Sequence, residues 1–142
     1  MYKIALALSL FLFVPSLGSI AADDSISVVP GNYKIKTNTR SNMNPNPQID
    51  VEEQCVTDTS FNPKMALPDE SCKASNVKKS GNSLSFDIKC EGNQRMPSMN
   101  GKAEASTTSS TLKFHVKMVG TYQGQEFSVN STSEGTRTGN CN

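Results

Sequence analysis

The chain has 142 residues, with 14 basic and 13 acidic side chains and a formal net charge of +1. That balance leaves no excess of Lys and Arg to set against phosphate, which excludes a nucleic-acid partner, and the Lys78-Lys79 pair is too short a basic run to hold an anionic lipid surface. The length allows one domain.

The first element is a leader. Lys3 precedes an apolar run from Ile4 to Leu17 that is too short to span a bilayer, and Ser19-Ile20-Ala21-Ala22 follows before Asp23-Asp24 opens a polar chain. This pattern predicts a secretory signal over residues 1–22, with cleavage near Ala21/Ala22. The rest, 23–142, is expected to be a single soluble domain with no membrane span, periplasmic or secreted. No cysteine stands at the end of the leader to take a lipid.

The mature chain is lean in large apolar residues: Leu, Ile, Val and Phe make up about one residue in six. At high net charge that composition would suit a disordered chain, but the charge is balanced and the apolar residues recur at a period of two. Tyr33, Ile35 and Thr37 alternate with Asn32, Lys34 and Lys36 in a first strand. The stretch from Ser41 to Pro47, with its two prolines, reads as a surface loop. Ile49, Val51 and Cys55 suggest a second strand, with Glu52-Glu53 at its exposed part. Thr57 or Asp58 is placed to cap a single helical turn carrying Phe61, kept short by Pro63 and Pro68. Gly81-Asn82 signals a two-residue hairpin turn, which sets Ser80 opposite Ser83, Val77 opposite Phe86 and Lys73 opposite Cys90.

Leu84, Phe86, Ile88 and Cys90 form the next apolar face. A second loose stretch, Gly92 to Met99, reads as a surface loop. Gly101, Ala103, Ala105 and Thr107 make a small-residue strand. Leu112, Phe114, Val116 and Met118 alternate with Lys113, His115 and Lys117, and Phe127, Val129 and Ser131 continue the pattern after a turn near Tyr122-Gln123-Gly124. Alternation of this kind suits antiparallel strands with one wet face. The predicted fold is all-β, an antiparallel meander of about seven or eight strands forming a small open or closed barrel.

So small a core needs covalent help, and Cys55, Cys72, Cys90 and Cys141 can give it in an oxidising compartment. No Cys-x-x-Cys pair is present, which argues against a thioredoxin-like motif or a zinc knuckle and for two structural disulfides. Four cysteines allow three connectivities. Strand alternation points Cys72 away from Cys90 in the hairpin register above, and a bulge would reverse that. The expected pairs are Cys55–Cys72 and Cys90–Cys141.

Several local features occur in a familiar order: Pro30-Gly31 with Tyr33, a Met/Pro-rich gap from Met43 to Pro47, Cys55-Val56-Thr57 and Cys72-Lys73. They continue through Ser80-Gly81-Asn82-Ser83, Phe86 with Cys90, and the ending Thr138-Gly139-Asn140-Cys141. In this layout, over roughly Val29 to Cys141, the chain resembles the bacterial exported family of unknown function DUF3617. Tyr33 stands where that family often has Trp, and the usual Arg-Leu before Gly139 is missing; neither departure touches the cysteines. The resemblance implies a periplasmic or secreted bacterial protein and implies no activity.

Candidate chemistry is sparse. His115 is the only histidine, it sits on a polar strand face, and no Gly-x-Ser-x-Gly stretch accompanies it, so a hydrolase triad is not expected. In the doublets Glu52-Glu53 and Asp69-Glu70, neighbouring strand residues point to opposite faces and make no ready acid pair. The chain is read as a non-enzyme that calls for no cofactor. Met43, Met96 and Met99 lie in polar, Pro-bearing loops; thioethers select Cu(I), so these with His115 form a minor candidate copper set, while methionines that fill gaps over a barrel mouth are the ordinary alternative. The leading expectation is a binding module for a small or apolar ligand, with Tyr33, Ile35, Leu84, Phe86, Phe114, Val116 and Phe127 facing the ligand or packing as core. The alternative is an envelope interaction or structural module that pairs along a strand edge.

Overall fold

Period-two patterning becomes nine strands in the computed structural model, which describes residues 24–94 and 96–142. A short strand β1 (Ile26–Ser27) precedes a long hairpin, β2 (Gly31–Ser41) and β3 (Asn44–Val56). Next come β4 (Ser60–Phe61) and a 3-10 turn (Pro63–Ala66). A five-strand meander follows: β5 (Cys72–Ser80), β6 (Ser83–Cys90), β7 (Met99–Thr107), β8 (Thr111–Tyr122) and β9 (Gln125–Gly139). The expected leader over 1–22 and its cleavage point lie outside the described residues. No helix among the described residues is long and apolar enough to cross a membrane.

The large sheet is antiparallel, in the order β3-β2-β9-β8-β7-β6-β5. The first hairpin docks onto the end of the meander through β2 and β9, so closing a barrel would need only a β3–β5 pairing. That pairing is absent and the sheet stays open. Instead, residues 57–71 cross the inner face as a strap from β3 to β5, and β4 within the strap pairs with β1.

Register sorts the side chains. Across the inner face, Ile35, Gly135, Leu112 and Thr107 lie in one row, and Thr37, Ser133, Phe114, Ala105 and Leu84 in the next. The core occupies the β5–β8 half of this face, where Leu84, Phe86, Ile88, Cys90, Ala103 and Met118 are buried beneath Ile26, Phe61, Ala66 and Leu67. Each large side chain fully buried here contributes roughly 1.5–3 kcal/mol. Tyr33, also buried, donates its hydroxyl to Val29 O at 2.7 Å, which ties the segment entering β2 to the sheet.

Both edge strands are protected against pairing with other chains. β3 carries Pro45 and Pro47 with Asp50, Glu52 and Glu53, while β5 carries Lys73, Lys78 and Lys79 and a bulge. The prolines expected to make a loop therefore lie within a strand, because an edge strand can forgo a backbone donor; only Asn42 and Met43 form the turn. Ile49 and Val51, 54% and 56% exposed, pair with Asn38 and Lys36 on the outer face. Strand alternation sends Glu52 inward instead. The expected helical turn at Thr57 or Asp58 is replaced by β4 and by a 3-10 turn capped by Asn62, whose Oδ1 accepts from Lys64 N at 3.0 Å.

The disulfides are Cys55–Cys141 and Cys72–Cys90, not the expected Cys55–Cys72 and Cys90–Cys141. The cause is a bulge in β5. The turn places Ser80 opposite Ser83 as expected, but Asn76, at φ 51°, adds a residue between Ser75 and Lys78. Beyond it the register moves by one, Lys73 faces Lys89, and Cys72 comes directly opposite Cys90. The other expected pairs are too far apart. Cys55 and Cys72 lie on opposite edges of the sheet, and Cys90 lies at the Met99–Gly120 end while Cys141 follows β9 at the other. Both bridges suit an oxidising, non-cytoplasmic setting.

Candidate functional site

The half of the inner face that the core does not fill holds a cleft of about 330 Å³. Ile35 of β2, Gly135 of β9 and Leu112 and Phe114 of β8 line it from the sheet; Val56, Phe61 and Met65 line it from the strap side. Alternation brings the sheet residues together, since all four are inner-face positions in two adjacent rows. The strap residues arrive through long-range ties: Phe61 pairs with Ile26 across β1–β4, and Val28 N donates to Thr59 O at 2.9 Å. Phe61 and Phe114 meet as tilted rings with centroids 6.1 Å apart. Ile35, Val56, Phe61, Leu112 and Phe114 remain only half-buried, and Met65 is exposed. Gln54, Asp58 and Ser60 give the cleft a polar rim.

Beyond Phe114 the same face turns polar. Thr37 and Ser133 hydroxyls are 2.8 Å apart, and Thr39 and Ser131 hydroxyls 2.9 Å apart, forming two rungs between β2 and β9. Glu52 is in register with Ile35, and Asp50 with Thr37. A larger depression of about 930 Å³ beside β5 is lined by Lys64, Asp69, Glu70 and Lys73 together with Pro63, Leu67, Ala74 and Val77.

Of the seven residues expected to face a ligand or form the core, Tyr33, Leu84, Phe86 and Phe127 are buried. Ile35, Phe114 and Val116 are half-buried, and the first two line the cleft. The candidate copper set is not brought together. Met99 pairs with Gly120 on the inner face and packs against the core with Met96, whereas His115 lies on the outer face, hydrogen-bonded to Asn130 with Nε2 2.8 Å from Oδ1. Met43, 62% exposed, sits at the β2–β3 turn, two strands from β8. The odd spacing between His115 and Gly120 sends their side-chain directions to opposite faces, so Met99 and His115 cannot meet.

Leu112, Val56, Phe61, Met65 and Gly135 were missing from the expected set. Leu112 belongs to a readable alternation and could have been included. Gly135 carries a subtler signal, a glycine in the middle of a strand pattern with no turn partner. Phe61 and Met65 depend on the strap, whose position follows from long-range pairing and leaves no periodic trace.

Among known families, residues 28–141 match the one described as Protein of unknown function (DUF3617). A search of curated proteins and one of solved structures each found no match. The matched segment contains every strand of the large sheet and all four disulfide cysteines, and the chain belongs to the DUF3617 family.

Proposed function

We propose that the protein is an exported, non-enzymatic binding module that holds a small apolar ligand in the cleft between strap and sheet. One observation carries this reading. In a domain with few large apolar residues to bury, Ile35, Leu112, Phe114 and Phe61 are left half-buried around a shared space. Apolar surface gains about 25 cal/mol per Å² on leaving water, so a guest in this space completes burial that the fold leaves undone. The volume is at the small end of the range for ligand pockets.

Export is supported by the leader pattern over residues 1–22 and by the two disulfides. A non-catalytic role is supported by the position of the lone histidine, on the sheet face opposite the cleft. Titration of the mature, disulfide-intact protein with the neutral fluorophore N-phenyl-1-naphthylamine tests the site. Saturable micromolar binding that weakens about tenfold in Leu112→Gln, a loss of about 1.4 kcal/mol, is expected. Absence of saturable binding, or equal binding by the variant, overturns the reading.

The exposed Ile49 and Val51 on the outer face of β3 favour a second reading, a module that docks an envelope protein on this edge strand through side chains and not through ladder pairing. A partner recovered by the wild type and lost in Val51→Lys, with fluorophore binding unchanged in both, would move the function from the cleft to the edge.

A further inference from the structure

Gly135 has no structural requirement to be glycine. A Cβ built there would meet Ile35 Cγ1 at 3.4 Å and Leu112 Cβ and Tyr33 Cδ1 at 3.5 Å, close to ordinary contact, and its φ is not in the left-handed range. The register on both sides of it is unbroken from Tyr33–Arg137 to Ser41–Val129 and from Thr111–Thr136 to Tyr122–Gln125, so it marks no bulge. Gly101 and Gly120 differ, because a Cβ at either would collide with backbone. A glycine inside a strand weakens it and often marks a bulge, a tight bend, or the close approach of a backbone or a ligand; Gly135 has no bulge and no close backbone, and it borders an open space. Gly135 is on the floor of the cleft.

From Gly135 the inner-face row of β9 continues to Ser133, which also lines the cleft, and past it to Ser131, a run of about 13 Å at strand rise. One wall is apolar, Leu112, Phe114 and Val116 of β8; the other, Ile35, Thr37 and Thr39 of β2, becomes polar after Ile35. In each hydroxyl rung one O–H is used between the partners, which leaves the second O–H of the pair and several lone pairs for a ligand. The inner face is thus apolar beneath Phe61 and hydrogen-bonding beyond it.

Its charges select the head group. Asp58 and Lys113 line the cleft, but Lys113 alternates with Leu112 and Phe114 and so directs its side chain to the outer face, opposite Glu134, while Glu52 and Asp50 stand along β3 beside Ile35 and Thr37. Arg137, the next inner-face residue of β9, is directed elsewhere: its Nε donates to Pro30 O at 3.0 Å and its guanidinium also bonds Asn140. An anionic head would meet carboxylates and no available guanidinium.

We propose, resting on the cleft reading above, that the ligand is a neutral single-chain amphiphile. Its acyl or alkyl chain lies over Gly135 under Phe61, and its oxygen-bearing head lies on the Thr37–Ser133 and Thr39–Ser131 rungs. Displacement of N-phenyl-1-naphthylamine from the mature, disulfide-intact protein tests this with monolauroylglycerol and laurate, each below its critical micelle concentration. Monolauroylglycerol is expected to displace the fluorophore at a concentration about tenfold lower than laurate, the size of effect expected for one or two hydrogen bonds. Gly135→Leu, which fills the floor, is expected to abolish binding of both lipids and of the fluorophore, while Gly135→Ala stays folded and binds. The double variant Thr37→Val/Ser133→Ala is expected to lose about tenfold for monolauroylglycerol and nothing for the fluorophore.

Laurate binding as well as monolauroylglycerol, while the fluorophore still binds, overturns the head-group assignment and leaves the cleft standing. Full lipid binding by a folded Gly135→Leu overturns the placement along β9. Absence of fluorophore binding in the wild type removes the cleft reading and this inference together.

Discussion

Removing the Cys55–Cys141 bridge, as Cys55→Ser/Cys141→Ser, is the most informative perturbation of the fold. The bridge closes a loop of 86 residues, and on the chain-entropy model its loss destabilises the native state by about 4.5 kcal/mol. Cys55 is exposed and Cys141 half-buried, so little core packing goes with it. Domains of this size are stable by about 5–15 kcal/mol, so the double variant should retain a fraction of the original stability. In urea unfolding followed by far-ultraviolet circular dichroism without reductant, the midpoint should fall by about 2 M at a slope of about 2 kcal/mol/M. Because Cys55 also fixes one end of the strap, amide exchange should accelerate at Thr59–Phe61 more than within β6 and β7. A midpoint shift below about 0.5 M, under 1 kcal/mol at that slope, would refute the reasoning.

Three further outcomes follow from local geometry. Gly31→Ala should lose roughly 2–3 kcal/mol in the same assay, because its Cβ would fall 2.5 Å from Gly139 O and also collide with Arg137. Tyr33→Phe leaves Val29 O without its donor and should cost about 1–1.5 kcal/mol by thermal or urea unfolding. Asn76→Ala should destabilise by about 1–2 kcal/mol, since its φ of 51° suits Asn or Gly and not Ala, whereas Asn76→Gly should recover most of that loss. Equal stability of Ala and Gly at position 76 would contradict the bulge.

The strands were legible because the mature chain repeats one signal, apolar and polar residues in alternation, and Leu84, Phe86, Ile88 and Cys90 emerge buried on one face as that signal requires. What was not legible depends on single residues or distant pairings. One asparagine in the left-handed region reverses the orientation of Cys72 relative to Cys90, and Asn occurs too often in this chain for Asn76 to stand out. Pro45 and Pro47 read as loop formers because the sequence does not announce which strand is an edge. Ile49 and Val51 look like core, yet on β3 their face is the outer one. Within the cleft, Ile35 and Phe114 were recognisable from their strands, whereas Phe61 and Met65 required knowledge that the strap crosses the sheet.

The strap connects the open edge to the cleft. A β3–β5 pairing would close the barrel, but β3 has two prolines that cannot donate and β5 has a bulge and three lysines, so neither edge offers a regular ladder to the other. Chain running from one edge to the other must then cross the inner face, and each of its ends is held by a different disulfide, Cys55 to Cys141 and Cys72 to Cys90. Between those anchors the strap is held by the two-residue β1–β4 pairing, the Val28–Thr59 backbone bond, the contact of Phe61 with Phe114 and the packing of Ala66 and Leu67 on the core. At Phe61 the strap stands over the cleft, on the side where the half-buried apolar residues lie, while both of its ends are fixed to the sheet.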